Sequence, residues 1–206
     1  MARIQAFALA FCALLSLKAL AFSPALQSEE VQDAYSLGQT SNHEELTDFL
    51  NQYEHDFKYP SDNPIVFVSS VEFRTPYEQI VLRSLGTTQY SKFQAQTDYQ
   101  AKPGLVIVRV LASLRTGYSG PTPPADSFKV AVNQLNTIEP RKVTSTLLCD
   151  PTSWQNNATY SNCFAYTREI VLQFDAEQFA PGKATVKVML PFGQSLETKY
   201  NLDKLR

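Results

Sequence analysis

Apolar residues recur along this chain with two different periods. Over 28–39 (SEEVQDAYSLGQ), Val31, Ala34 and Tyr35 share one helical face, Ser28 stands where an N-cap belongs, acids fill the first turn and Gly38 offers a stop. Ser41 and Glu44 then have capping-box spacing ahead of Leu46, Phe49, Leu50, Tyr53 and Phe57, which fall at i, i+3, i+4, i+7 and i+11. The pattern predicts a helical element over 22–61 whose apolar face rests on a β body. YPSDNP (59–64) ends the helical period. Ile65, Phe67, Ser69, Val71 and Phe73 then alternate with more polar neighbours and predict a strand. Residues 77–85, after the Thr75-Pro76 break, read as a second strand. Ser91 and Gln94 predict one more capped helix over 92–101, closed by Pro103-Gly104.

LVIVRVLASLRT (105–116) is the most strongly β-forming run. Val106, Val108, Val110, Ala112 and Leu114 lie on one face; Leu105, Ile107, Arg109 and Leu111 lie on the other. Apolar character on both faces predicts a central strand, with a second sheet on one side and a helix on the other. Five more strands follow at 128–132, 143–149, 164–174, 184–190 and 196–202, separated by Pro, Gly and Asn. The prediction is a mainly β chain: an antiparallel sandwich of eight strands over 62–206, with one helix inserted near 91–102, and two or three helices in all.

The first residues change where this fold is expected to work. MARIQAFALAFCALLSLKALA has a positive start at Arg3, an apolar run over 6–17 and small residues at Ala19 and Ala21. That is the three-part pattern of a secretory signal peptide over 1–21, cut after Ala21. Lys18 ends the run at 12 residues, well short of the roughly 20 that cross a bilayer. Export to a periplasm or the outside is therefore expected, with no membrane span after cleavage. Removing 1–21 takes Arg3 and Lys18 and no acid from 18 basic and 20 acidic residues, leaving a net charge of −4. A mildly acidic chain without a basic block argues against nucleic acid as a partner. Cys12 leaves with the leader, and Cys149 and Cys163 are expected to pair, closing a loop that stabilises by roughly 3 kcal/mol.

FDAEQFAPGKATVKVMLPFGQSLETKYNL (174–202) resembles the last three strands of immunoglobulin-like and fibronectin type III-like sandwiches, in which a Pro-Gly turn such as Pro181-Gly182 feeds the penultimate strand. The resemblance implies an immunoglobulin-like sandwich. Two features depart from it: no tyrosine follows the turn to make a tyrosine corner, and Cys149 and Cys163 are too close in sequence for an inter-sheet bridge. VQDAYSLGQ (31–39) with TPYEQIV (75–81) resembles segments of a family of uncharacterised secreted bacterial proteins. That likeness implies a bacterial, exported origin and brings no activity.

Candidate chemistry is sparse. His43 and His55 are the only histidines. On one helix they would stand about 18 Å apart, too far to share a metal. No nucleophile elbow or S-x-x-K motif is present. Glu29, Glu30 and Asp33 suit a helix start, and Glu169 and Asp175 would lie roughly 20 Å apart along one strand, outside glycosidase geometry. Asn157-Ala158-Thr159 is a glycosylation sequon that matters only in a eukaryotic secretory pathway. No catalytic residue, metal site or cofactor is implied.

What remains is CDPTSWQNNATYSNC (149–163), with the chain's one tryptophan. Two accounts stay open. A bridge from Cys149 to Cys163 pins the tip of a hairpin, with Trp154 and Tyr160 folding back as a plug. Alternatively it presents Trp154, Asn156, Asn157 and Tyr160 to a protein or glycan. The expected function is an exported, non-catalytic binding or cell-envelope structural protein; the alternatives are a recognition module using this loop, and a carboxylate-based hydrolase.

Overall fold

The computed structural model describes residues 22–62, 64–86, 89–114, 122–150 and 165–206. Residues 1–21, the expected leader, lie outside them. The described chain is mainly antiparallel β, with four helices and nine strands in two sheets. In order these are α1 (Ser28–Gly38), α2 (His43–Leu50), β1 (Glu54–Asp56), β2 (Val66–Arg74), α3 (Pro76–Ser84), α4 (Lys92–Ala101), β3 (Leu105–Leu114), β4 (Lys129–Asn133), β5 (Thr137–Ile138), β6 (Lys142–Asp150), β7 (Ala165–Asp175), β8 (Lys183–Met189) and β9 (Ser195–Asn201). One sheet runs β1-β2-β3-β7-β6, the other β5-β4-β8-β9. Their inner faces share one core, in which Val71, Phe73, Val108, Val110, Leu172 and Phe174 meet Val132, Val186, Val188 and Tyr200. The Tyr200 hydroxyl crosses that core and donates to the Val71 carbonyl at 2.6 Å.

Seven of the eight expected strands are strands. The eighth, 77–85, is helix α3. Thr75 caps it by accepting from the Glu78 amide at 3.2 Å, and Pro76 occupies the first turn, where a missing N–H costs nothing. The short strands β1 and β5 were not expected. The second helix was expected to run to Phe57 from a cap at Ser41; it stops at Leu50, and Asn42 is its cap, accepting from Glu45 N. Sheet pairing overrides the helical stripe: Tyr53 O accepts from Phe73 N, and Phe57 N donates to Ser69 O. His55 is therefore on β1, with its ring 4.9 Å from Tyr200, and not on a helix with His43. In α1 the capping role belongs to Gln27, not Ser28; Gln27 N donates to Glu30 Oε2 at 2.7 Å. The helix over 92–101 has the expected limits and its Ser91 cap.

β2 corrects the alternation. Its inward residues are Val66 and Val68, then Val71 and Phe73, because a β-bulge between Val68 and Ser70 inserts an extra residue and flips the phase. β3 buries Val106, Val108, Val110, Ala112 and Leu114 as expected and is the middle strand of its sheet. Its other face is only half-buried; helices reach just its beginning, where Gln79 of α3 donates to the Leu105 carbonyl at 2.8 Å.

The helices rest mostly on each other rather than on the sheets. Val31, Ala34, Leu46, Tyr77, Val81 and Ala95 form a second core. Gly38 of α1 touches α3 so closely that a Cβ would lie 2.4 Å from the Val81 carbonyl and 1.9 Å from Ser84 Oγ.

Candidate functional site

Among the described residues, three places bring chemistry-bearing side chains together. The first is where α1 meets α3. The two segments 31–39 and 75–81, separate in sequence, pack face to face there. Tyr77 donates to Asp33 Oδ2 at 2.7 Å, and Arg206 Nη1 reaches the same oxygen at 2.8 Å and the Tyr77 hydroxyl at 3.1 Å. The guanidinium also stands 5.5 Å over the Tyr77 ring. The Arg206 carbonyl accepts from the hydroxyls of Tyr53 and Thr75. A cleft of about 730 Å³ opens beside this latch, with Glu44, Glu45 and Asp48 on its rim. Burial first, and the bond to Asp33 second, push the Tyr77 phenol up to about 12. It carries its proton at neutral pH and donates it in the bond to Asp33.

Behind the latch is Glu78, 4% exposed, with Oε2 buried and unpartnered. Burial, reinforced by Glu72 and Glu54 and opposed by Arg74, pushes its carboxyl up to about 8. Glu72 and Glu169 are held by arginines. Glu72 is bridged by Arg74 and by Arg109, the latter at 2.6 Å, and Arg109 Nε holds Glu169 at 2.6 Å. The Arg109 guanidinium thus fills the space between Glu72 and Glu169 that a glycosidic bond would need. Asp175 faces Arg141 at 3.4 Å, and Glu29 and Glu30 sit in the first turn of α1. No group of three His, Cys, Asp or Glu side chains among the described residues could hold a metal ion.

The second place is the edge strand β6. It pairs with β7 from Lys142 opposite Gln173 to Asp150 opposite Ala165, and its other edge has no strand partner among the described residues. Residues 142–148 are all exposed, including Val143 at 55%, Leu147 at 40% and Leu148 at 38%. Cys149 stands opposite Tyr166, at the base of the hairpin, as expected. Trp154, Asn156, Asn157, Tyr160 and Cys163 lie outside the described residues.

The third is a groove of about 600 Å³ between α3, α4 and the end of the five-stranded sheet. Ile80, Leu105 and Ile107 give it apolar lining, Tyr90 and Tyr99 flank it, and Lys102 and Lys142 bring two cations without a carboxylate partner among the described residues. Neither the latch nor the groove was expected from sequence. The signal for the latch was present in Thr75-Pro76-Tyr77-Glu78, a cap, a first-turn proline and an acid three residues on. No described helix is long and apolar enough to cross a membrane.

A scan of protein-family models finds none that matches this chain, and no curated protein matches it.

Proposed function

We propose that this chain is an exported, non-catalytic binding protein whose working surface is the free edge of β6, continued by the Cys149–Cys163 turn. One observation carries the reading: the outer edge of the nine-residue strand β6 has no strand partner among the described residues, and it is flanked by exposed Val143, Leu147 and Leu148. Such an edge accepts an extended segment of a partner polypeptide as an added strand, with main-chain bonds for affinity and alternate side chains for selectivity. A paired Cys149 and Cys163 would hold Trp154, Asn156, Asn157 and Tyr160 next to that strand. The immunoglobulin-like character of the sandwich belongs to the same reading; it is supported by Gly182, whose φ of 113° turns the chain into β8 after Pro181.

The test places a photo-reactive residue at Leu148 and, as control, at Leu135, 96% exposed near the β4–β5 turn. In its own host, the mature protein should begin at Phe22 and cross-link to polypeptide from position 148 far more than from 135. Equal or absent cross-linking refutes the edge, and an uncut leader refutes export. The groove favours a second reading, capture of a small amphipathic anion by Lys102 and Lys142 over an apolar floor. Calorimetry with decanoate should then show binding that the K102E/K142E variant loses; no heat with the wild-type protein removes this reading.

A further inference from the structure

We infer that the polypeptide added to β6 is β6 of a second copy of this chain, so that two five-stranded sheets join into one of ten. This rests on the reading of β6 as the working edge and names its partner.

The four sheet edges among the described residues are not alike. β1 has three residues, two of them acids. β5 has two residues. β9 carries outward Glu197 and Lys199, with Glu197 paired to Lys187 at 3.0 Å. Short length and outward charge are the devices that keep strand edges from pairing. β6 has neither: it is nine residues long, and Val143 through Cys149 carry no charge and no proline. An edge of that kind in water needs a cover.

The sequence of β6 fits itself. In an antiparallel pair, residues directly opposite share a face, so a two-fold perpendicular to the sheet keeps faces matched. An axis through Thr146 is the one that pairs all nine residues of Lys142–Asp150. Lys142 then stands across from Asp150 at both ends, opposite charges twice over. Thr144 meets Leu148, and Val143 meets Cys149. Leu147 faces Ser145 and lies diagonal to Leu147 and Val143 of the second copy. These odd-numbered positions share a face with Ile170 and Leu172 of the core, so the exposed Leu147 and Val143 would extend the greasy layer across the axis. Moving the axis by one residue leaves Lys142 opposite Leu148 or off the strand.

Sedimentation equilibrium of the leader-less chain, produced in an oxidising compartment, tests this. The wild type should show a two-copy mass. Thr146→Lys places like charges face to face on the axis, yet within one copy it stands across from Glu169. It should raise the dimer Kd by about tenfold or more, with the melting temperature unchanged when both proteins are dilute enough to be single chains. K142D should weaken the dimer, and K142D/D150K should restore it. A one-copy mass for the wild type at every concentration, or a two-copy mass that Thr146→Lys leaves intact, overturns the inference. If the chain stays single while position 148 cross-links to a foreign polypeptide, self-pairing falls and the edge reading stands. A single chain with no cross-link at 148 removes both.

Discussion

Replacing Glu78 by Gln should leave this protein's stability nearly unchanged in mild acid and raise it in alkali. Glu78 is a carboxyl group that folding takes out of water without giving its Oε2 a partner. Its ordinary value is 4.5, and in the folded chain burial raises it to about 8. Below 4.5 both states hold the proton, and the group contributes nothing adverse. Between 4.5 and 8 the unfolded chain releases a proton that the folded chain keeps, so stability falls as pH rises. Above 8 both states are ionised and the loss is complete. The shift, from 4.5 to about 8, corresponds to about 5 kcal/mol in total, at roughly 1.4 kcal/mol per pH unit. Glutamine keeps the shape and cannot ionise. Its amide N–H leaves an unmet donor costing about 1 kcal/mol, but that cost is the same at every pH. The measurement is urea unfolding of both proteins from pH 5 to pH 9. Other titrating groups act alike in the two and cancel in the difference. The stability of E78Q minus wild type should climb through this window and level off above pH 8. Parallel curves would show that Glu78 ionises in the folded chain as freely as in water, and the burial argument would fail.

Tyr200→Phe removes the hydroxyl that crosses the core to the Val71 carbonyl; urea unfolding should show a loss of about 0.5–1.5 kcal/mol. Gly38→Ala sets a methyl group against the Val81 carbonyl, a backbone atom that cannot step aside, and should lower stability by about 1–3 kcal/mol or more, read as a lower melting temperature. Asp33→Asn and Tyr77→Phe, made singly and together, should be non-additive by about 0.5–3 kcal/mol, since both act through the bond at 2.7 Å; additive losses would dissolve the latch.

The parts of this fold that were legible are those where one face of an element decides everything. β3 alternates without interruption, and its five inward residues were readable because its pairing with β7 keeps one register throughout and the extra residue of the bulge lies in β2, not in β3. β7, β8 and β9 were readable for the same reason. Errors arose where a local cue competed with a distant one. In 77–85, Tyr77, Ile80 and Val81 suit either period; the β-branched residues favour a strand, and the cap at Thr75 and the proline after it decide for helix. In 51–57 the helical stripe was real, but Tyr53 reaches its 1% exposure through β1–β2 pairing, which no local window contains. The bulge near Ser69 could not be seen either, because a phase flip needs knowledge of what each half of the strand faces.

The candidate surfaces were harder still, because they depend on topology rather than on residue type. KVTSTLLCD (142–150) reads as an ordinary strand, and the same letters in the middle of a sheet would be unremarked. Its significance comes from strand order: β7 follows β6 in sequence and lies inside it, and β1 through β3 fill the other half, so β6 is left at the rim. The latch has the same origin. Asp33, Tyr77 and Arg206 are 44 and 129 residues apart in turn, and only the packing of α1 on α3 makes one site of them. Side chains that stabilise a strand in the interior, Val143, Leu147 and Leu148, become exposed apolar surface when the strand is placed at an edge. The physical demand on the chain is then external, because no other described element of this fold is positioned to cover them.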